Sequence, residues 1–230
     1  MALVYDVSYE YTSVIGDKEI KFKQWTAKDE RKYLQLMEKE DAEINDKVIF
    51  DTLLAPCIEE KDIVLSASEQ KKLLIDIRIE SISDEIEDTH ECVSCGKTSE
   101  IKVKIKECMT YKKADFKEIE VSDLKFVFGP IKTNKEKEKL NINDGIVNYI
   151  FTDFLLHIKG IEINGEMQED FSFRELTKFT DKLPTKIFDV VFEEYRNMVD
   201  DLTVETEFVC PSCDKKDTVD YTHIPNLLWA

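Results

Sequence analysis

Cysteine is the residue type in this sequence whose spacing could do chemistry, and there are six: Cys57, Cys92, Cys95, Cys108, Cys210 and Cys213. Four of them make two CxxC pairs, Cys92-Val-Ser-Cys95 and Cys210-Pro-Ser-Cys213. A two-residue gap in a tight turn aims both thiolates at one point, so each pair offers half of a tetrahedral sulfur site. Gly96 and Asp214 follow the second cysteine of each pair, and both residue types tolerate the left-handed backbone that a metal knuckle needs. One structural zinc ion held by Cys92, Cys95, Cys210 and Cys213 is the expected chemistry. Redox dithiols and unmetallated thiols are the competing readings. A redox CxxC belongs beside a βαβ pattern, whereas strand-like segments flank both copies here. Four sulfur ligands fill the tetrahedron and leave no place for water or substrate, so the metal reads as structural, not catalytic.

The remaining candidates read more simply as structure. His90, two residues before Cys92, could replace a ligand, but a polar residue at a knuckle entrance is the plainer account. His157 and His223 read as surface or packing residues, and Cys57 and Cys108 as small buried hydrophobes. There is no glycine-rich phosphate loop, HExxH, GxSxG or dinucleotide fingerprint. Glu85, Glu87 and Asp88, and the pair Asp200 and Asp201, read as solvated acidic faces. No group is nominated as a nucleophile or as an open metal, so no enzymatic activity is expected.

The elements that must position the cysteines follow from periodicity. Val7, Tyr9, Tyr11 and Ile20, Phe22 flank Gly16-Asp17 as two arms of a hairpin or as an irregular extended lead-in. Thr26 with Asp29 opens a helix over about 27 to 40 that buries Tyr33, Leu34 and Met37. A second apolar-periodic segment runs from Asp46 through Val48, Ile49, Leu53 and Leu54 to Pro56. Ser66 and Glu69 form a capping box for a helix carrying Leu73, Leu74 and Ile77, with Arg78 on its polar side. After Ser83 the period becomes two: Ile101, Val103 and Ile105 alternate with lysines, and a further strand covers Glu118 to Phe128. Lys132 to Lys139 reads as a surface loop. A helix over Ile146 to His157 follows, then a short hairpin arm at Ile161 and a capping box at Ser172 and Glu175. The last helix, from Pro184, buries Ile187, Phe188, Val191 and Tyr195. Val204, Thr206, Phe208 and Val219, Tyr221 frame the second cysteine pair as a hairpin.

The fold class expected is α+β, with helical bundle segments inserted around a small antiparallel β, split zinc-ribbon-like module. Residues 1–83 form a lead-in and helical region, 84–131 the first half of the module, 132–202 a helical insertion, and 203–230 the second half with the C-terminal tail. The two pairs stand more than a hundred residues apart in sequence, against roughly 15 to 20 in a compact ribbon. The metal would therefore close a long loop.

The chain has 230 residues, 42% of them hydrophobic, enough to bury a core without disulfides. Its 32 Lys and Arg against 49 Asp and Glu give a net charge of −17. Such a surface repels phosphate backbones and anionic headgroups, which disfavours nucleic acid and membrane partners. No apolar run approaches the roughly 20 residues that span a bilayer. The N-terminus lacks the pattern of a secretory signal, so a cytoplasmic location is expected.

Several runs recur together in one known family. Ile20-Lys-Phe-Lys-Gln-Trp-Thr-Ala-Lys-Asp-Glu-Arg-Lys-Tyr-Leu34 is a short basic and aromatic strand leading into an acidic helix start. It is followed by Leu53-Leu-Ala-Pro-Cys-Ile58, by Leu65 with its capped helix, by Ile77-Arg-Ile-Glu-Ser81 and by Cys92-Val-Ser-Cys95. In this order, over about residues 20 to 130, the chain resembles the baseplate hub proteins, or hub assembly chaperones, of T-even-type (T4-like) phages. Beyond that stretch the similarity is one of plan: late helices and a terminal knuckle. The resemblance implies a non-enzymatic role in virion morphogenesis, acting through contacts with other hub and tail proteins. The place would be the host cytoplasm during assembly, or the virion baseplate. From the residues alone, a zinc-ribbon adaptor in regulation or transcription, binding protein rather than DNA, is the alternative.

The segment Ile224-Pro-Asn-Leu-Leu-Trp-Ala230 carries Leu227, Leu228 and Trp229 at a chain end. These three fold back into the core or dock on a partner.

Overall fold

The computed structural model describes residues 8–37, 50–60, 63–131 and 146–222. It mixes helices with small antiparallel sheets and divides into two compact units, Met1–Lys112 with Asp201–Ala230, and Lys113–Asp200. No helix among the described residues is long and apolar enough to cross a membrane.

The first unit opens with the expected hairpin, β1 (Tyr11–Ile15) and β2 (Lys18–Phe22), turned at Gly16 with φ of +60°. Ile15, Ile20 and Phe22 alternate inward and pack on Leu53, Leu54, Cys57, Leu73, Leu74 and Ile77. Cys57 is thus the buried hydrophobe expected of it. Asp46, Val48 and Ile49 lie outside the described residues, and Phe50–Leu54 makes a short π-helical turn. Helix α1 (Ala27–Met37) begins where Thr26 donates its hydroxyl (2.6 Å) and backbone N–H (3.1 Å) to the Asp29 carboxylate. Leu34, expected to be buried, is 47% exposed. The helix buries Asp29 instead, and five residues on, Leu34 points about 140° away from it.

Helix α2 (Ala67–Ser81) has the expected capping box, with Glu69 N–H to Ser66 Oγ at 3.0 Å and Ser66 N–H to Glu69 Oε2 at 2.8 Å. It is buried on two faces. Leu73, Leu74 and Ile77 enter the core just described, while Ile75 and Ile79 enter a second one with Ile86, Val103, Ile105, Leu202, Val204 and Tyr221. Arg78 is not on a polar side: it is 1% exposed and donates to the carbonyl oxygens of Ser83 and Glu85. A buried guanidinium is tolerable because it satisfies backbone acceptors in the turn that leaves the helix.

From that turn, β3 (Glu85–Glu91) pairs with β4 (Thr98–Lys104), Glu85 opposite Lys104 and Glu91 opposite Thr98. The lysine alternation ends at Lys104. Ile105 instead starts the one-turn helix α3 (Ile105–Cys108), because the Asp84 carbonyl accepts from Ile105 N–H at 2.9 Å and its carboxylate from Lys106 N–H at 3.0 Å. Strand β5 (Met109–Lys112) then pairs with β10 (Asp201–Val209), whose far half pairs with β11 (Lys216–Asp220). Asp201, read as part of a solvated acidic face, is exposed and is the first residue of β10.

The second unit, Lys113–Asp200, combines helices with a sheet. The stretch Glu118 to Phe128 is a hairpin, β6 (Glu118–Val121) and β7 (Leu124–Phe128), turned at Ser122 with φ of 56°. It joins β8 (Ile158–Ile163) and β9 (Glu166–Gln168) in a four-stranded antiparallel sheet ordered β6-β7-β8-β9. Asn164 and Gly165, both with positive φ, turn β8 into β9. Among the described residues three helices pack with this sheet: α4 (Ile146–His157), α5 (Phe173–Thr180) with the expected Ser172 and Glu175 box, and α6 (Thr185–Met198). Their core is aromatic, with Phe154 meeting Tyr195 at 5.1 Å and Phe192 at 5.4 Å between ring centroids. Val191 and Tyr195 are buried as expected, whereas Ile187 and Phe188 are half-buried. Lys132 to Lys139 lies outside the described residues.

Candidate metal centre

Each cysteine pair sits where a strand of the first unit turns into its partner, Cys92 directly after β3 and Cys210 directly after β10. The two turns repeat the same backbone pattern. Cys92 N–H donates to Lys97 O (3.0 Å) and Gly96 N–H to Cys92 O (2.8 Å); Cys210 N–H donates to Lys215 O and Asp214 N–H to Cys210 O, both at 2.9 Å. Gly96 has φ of +68° and Asp214 of 56°, the left-handed backbone expected at both positions.

The four sulfurs converge. Cys92 Sγ lies 3.7 Å from Cys213 Sγ and Cys95 Sγ lies 3.7 Å from Cys210 Sγ, so each close pair joins one turn to the other. All four lie within 4.8 Å of one another and are the one group of possible metal ligands among the described residues. A disulfide would bring two sulfurs to about 2.05 Å. A tetrahedron with metal–sulfur bonds of about 2.3 Å has edges of about 3.8 Å, which the 3.7 Å separations match. The donor set and its spacing fit a tetrahedral thiolate-bound metal. The first cysteine of each pair is buried and backed by Phe208, while Cys95 is exposed and Cys213 half-buried.

The electrostatics require a cation to gather four thiolates. The backbone N–H groups of Ser94 and Cys95 draw the Cys92 thiol down to about 7. At Cys213 the Lys215 backbone N–H also pulls downward, but burial and the three neighbouring sulfurs outweigh it and push that thiol up to about 12. One thiolate forms readily in this cluster and discourages the next, and a divalent ion reverses that order.

His90 is not among the converging donors. Its Nε2 lies 3.0 Å from Asp217 Oδ2, and its ring meets Phe208 edge-on at 4.8 Å. It links β3 to β11 beside the sulfurs. Asp217 was not singled out in the sequence, where nothing local marks an aspartate on an alternating strand as the partner of a distant histidine. His157 is buried, its Nδ1 2.8 Å from the Asp153 carbonyl oxygen and 3.0 Å from the Tyr195 hydroxyl, which donates to Asp153 Oδ2 at 2.6 Å. Cys108 is half-buried against the second core of the first unit. His223, Leu227, Leu228 and Trp229 lie outside the described residues.

A family model described as T4 bacteriophage base plate protein matches residues 6–229. No curated protein and no solved structure matches the chain.

Proposed function

The chain belongs to the T4 bacteriophage base plate protein family, and from that premise we propose that it is a non-enzymatic hub protein acting in baseplate assembly through contacts with other hub and tail proteins. A structural role in the phage baseplate is what the family carries. The finer reading rests on the site. In it, Cys92, Cys95, Cys210 and Cys213 hold one zinc ion, and hairpins β3/β4 and β10/β11 become the two halves of a split ribbon-like module. The convergence of four sulfurs within 4.8 Å of one another, with two separations of 3.7 Å that match a tetrahedral edge, is the observation that carries this reading. Such a site has no position for substrate, so its work is to hold the strands and the surfaces they present. Leu227, Leu228 and Trp229 serve in this reading as an anchor for a partner, which deleting residues 226–230 tests. Family membership weighs for the baseplate over a regulatory adaptor.

The test follows the chain through infection. Baseplates and their precursors are purified from infected cells and the chain is traced by mass spectrometry. A chain found in hub-containing precursors supports the reading, and its persistence in finished virions makes it a component, not a departing assembly factor. A chain found in neither, with normal baseplates formed when it is missing, overturns it.

A further inference from the structure

The second unit carries an open groove of about 510 Å³ between the sheet and α5. Ile161, Ile163, Leu176 and Phe179 make its apolar floor, and Glu169, Asp170 and Glu175 stand on its rim. The register explains why it is open. Ile161 pairs with Gln168 and Ile163 with Glu166, so these four share one face of the sheet, and that face changes from apolar to polar at β9. Among the described residues β9 is the last strand of the sheet, and a strand edge beside an apolar floor is a place where an extended segment can be added.

We propose that this groove receives an extended apolar and basic segment of a partner protein, laid along β9. The floor takes the apolar side chains and the Glu169 and Asp170 carboxylates on the rim take lysine or arginine. Charge decides the occupant. A second copy paired edge to edge would crowd the Glu166, Glu169 and Asp170 carboxylates of both chains together, like charges near like, in a chain already at −17. A basic partner gains from the same carboxylates and is steered to them. The inference rests on the proposal that the chain works through protein contacts, and names a surface and a partner chemistry for it.

The probe is an acetylated octapeptide of alternating valine and lysine, titrated into the full zinc-loaded chain at physiological salt and followed by amide NMR. Saturable shifts are expected at Glu166–Phe171 and along α5. A peptide with glycine for valine, equal in charge, is expected to bind roughly tenfold more weakly, as is the original peptide to a Glu169→Lys, Asp170→Lys chain. Both substituted positions are exposed and lie outside any helix or strand, so the fold is retained. Equal binding by the glycine peptide, equal binding to the reversed-charge chain, or shifts elsewhere overturns the groove. In infected cells, a reversed-charge chain that enters baseplates like the wild type overturns the groove and leaves the structural role standing. Failure of the unaltered chain to enter them overturns that role, and the titration still decides the groove.

Discussion

His90 Nε2 and Asp217 Oδ2 lie 3.0 Å apart, tying β3 to β11 across 127 residues of sequence. The imidazole also packs edge-on against Phe208, which backs the buried cysteines. His90→Ala removes both contacts and leaves the four sulfurs. It is expected to cost about 1–2 kcal/mol, read as a lowered melting temperature with zinc content unchanged. Loss of zinc from this variant would make His90 a ligand and contradict its position.

Arg78 gives a sharper stability test. Arg78→Met keeps much of the side-chain bulk but leaves the Ser83 and Glu85 carbonyl oxygens without their guanidinium donor. Hydrogen bonds from a charged donor to part-buried acceptors contribute about 1.5–3 kcal/mol, so urea unfolding of the first unit should shift by that order. An unchanged midpoint would mean that the buried guanidinium contributes nothing net.

The two turns make opposite predictions from one backbone requirement. At Gly96, with φ of +68°, an added Cβ would meet only Glu91 Oε1 at 3.8 Å, so Gly96→Ala is strained by conformation and not by crowding. It is expected to cost about 1 kcal/mol. Asp214→Gly relieves the same strain at φ of 56° and is expected to be neutral or slightly stabilising. Thermal melts of both zinc-loaded variants check the pair, and a stabilising Gly96→Ala would refute the argument.

Chelator-stripped protein should show the first thiolate near pH 7, where Ser94 and Cys95 N–H groups hold Cys92. Because this thiol sits below its unfolded value of about 8.5, its stabilising contribution is present above that value and lost as pH falls through about 7. Cys213, pushed up to about 12, contributes in the opposite sense: its share is present below the unfolded value and lost as pH rises through about 12. Zinc uptake at neutral pH should release protons, and zinc affinity should fall on acidification. Thiolate ultraviolet absorbance checks the first step; a first thiolate appearing only at the ordinary cysteine value would contradict it.

What could be read from the sequence was what local chemistry specifies. The Ser66 and Glu69 box, the Ser172 and Glu175 box and the helix Ile146–His157 all stand where periodicity and capping put them. The cysteine turns were legible because CxxC spacing and a left-handed residue are themselves the motif. Arg78 was not, since its partners are backbone carbonyls, which carry no residue signature. Leu34 was misplaced because an aspartate, Asp29, occupies the buried face. The four-stranded sheet escaped notice for a third reason: β7 pairs with β8 across a long intervening segment, and the Ser122-Asp123 turn carries no glycine or proline.

The most direct test is zinc-edge X-ray absorption on the chain purified without added metal. The expected result is one zinc per chain with four sulfur neighbours at about 2.3 Å, reduced in occupancy by Cys213→Ser, while amides of 113–200 keep their exchange protection. Purified chain without zinc, or zinc bound by nitrogen and oxygen in place of the four cysteines, would contradict the clip that joins the two hairpins.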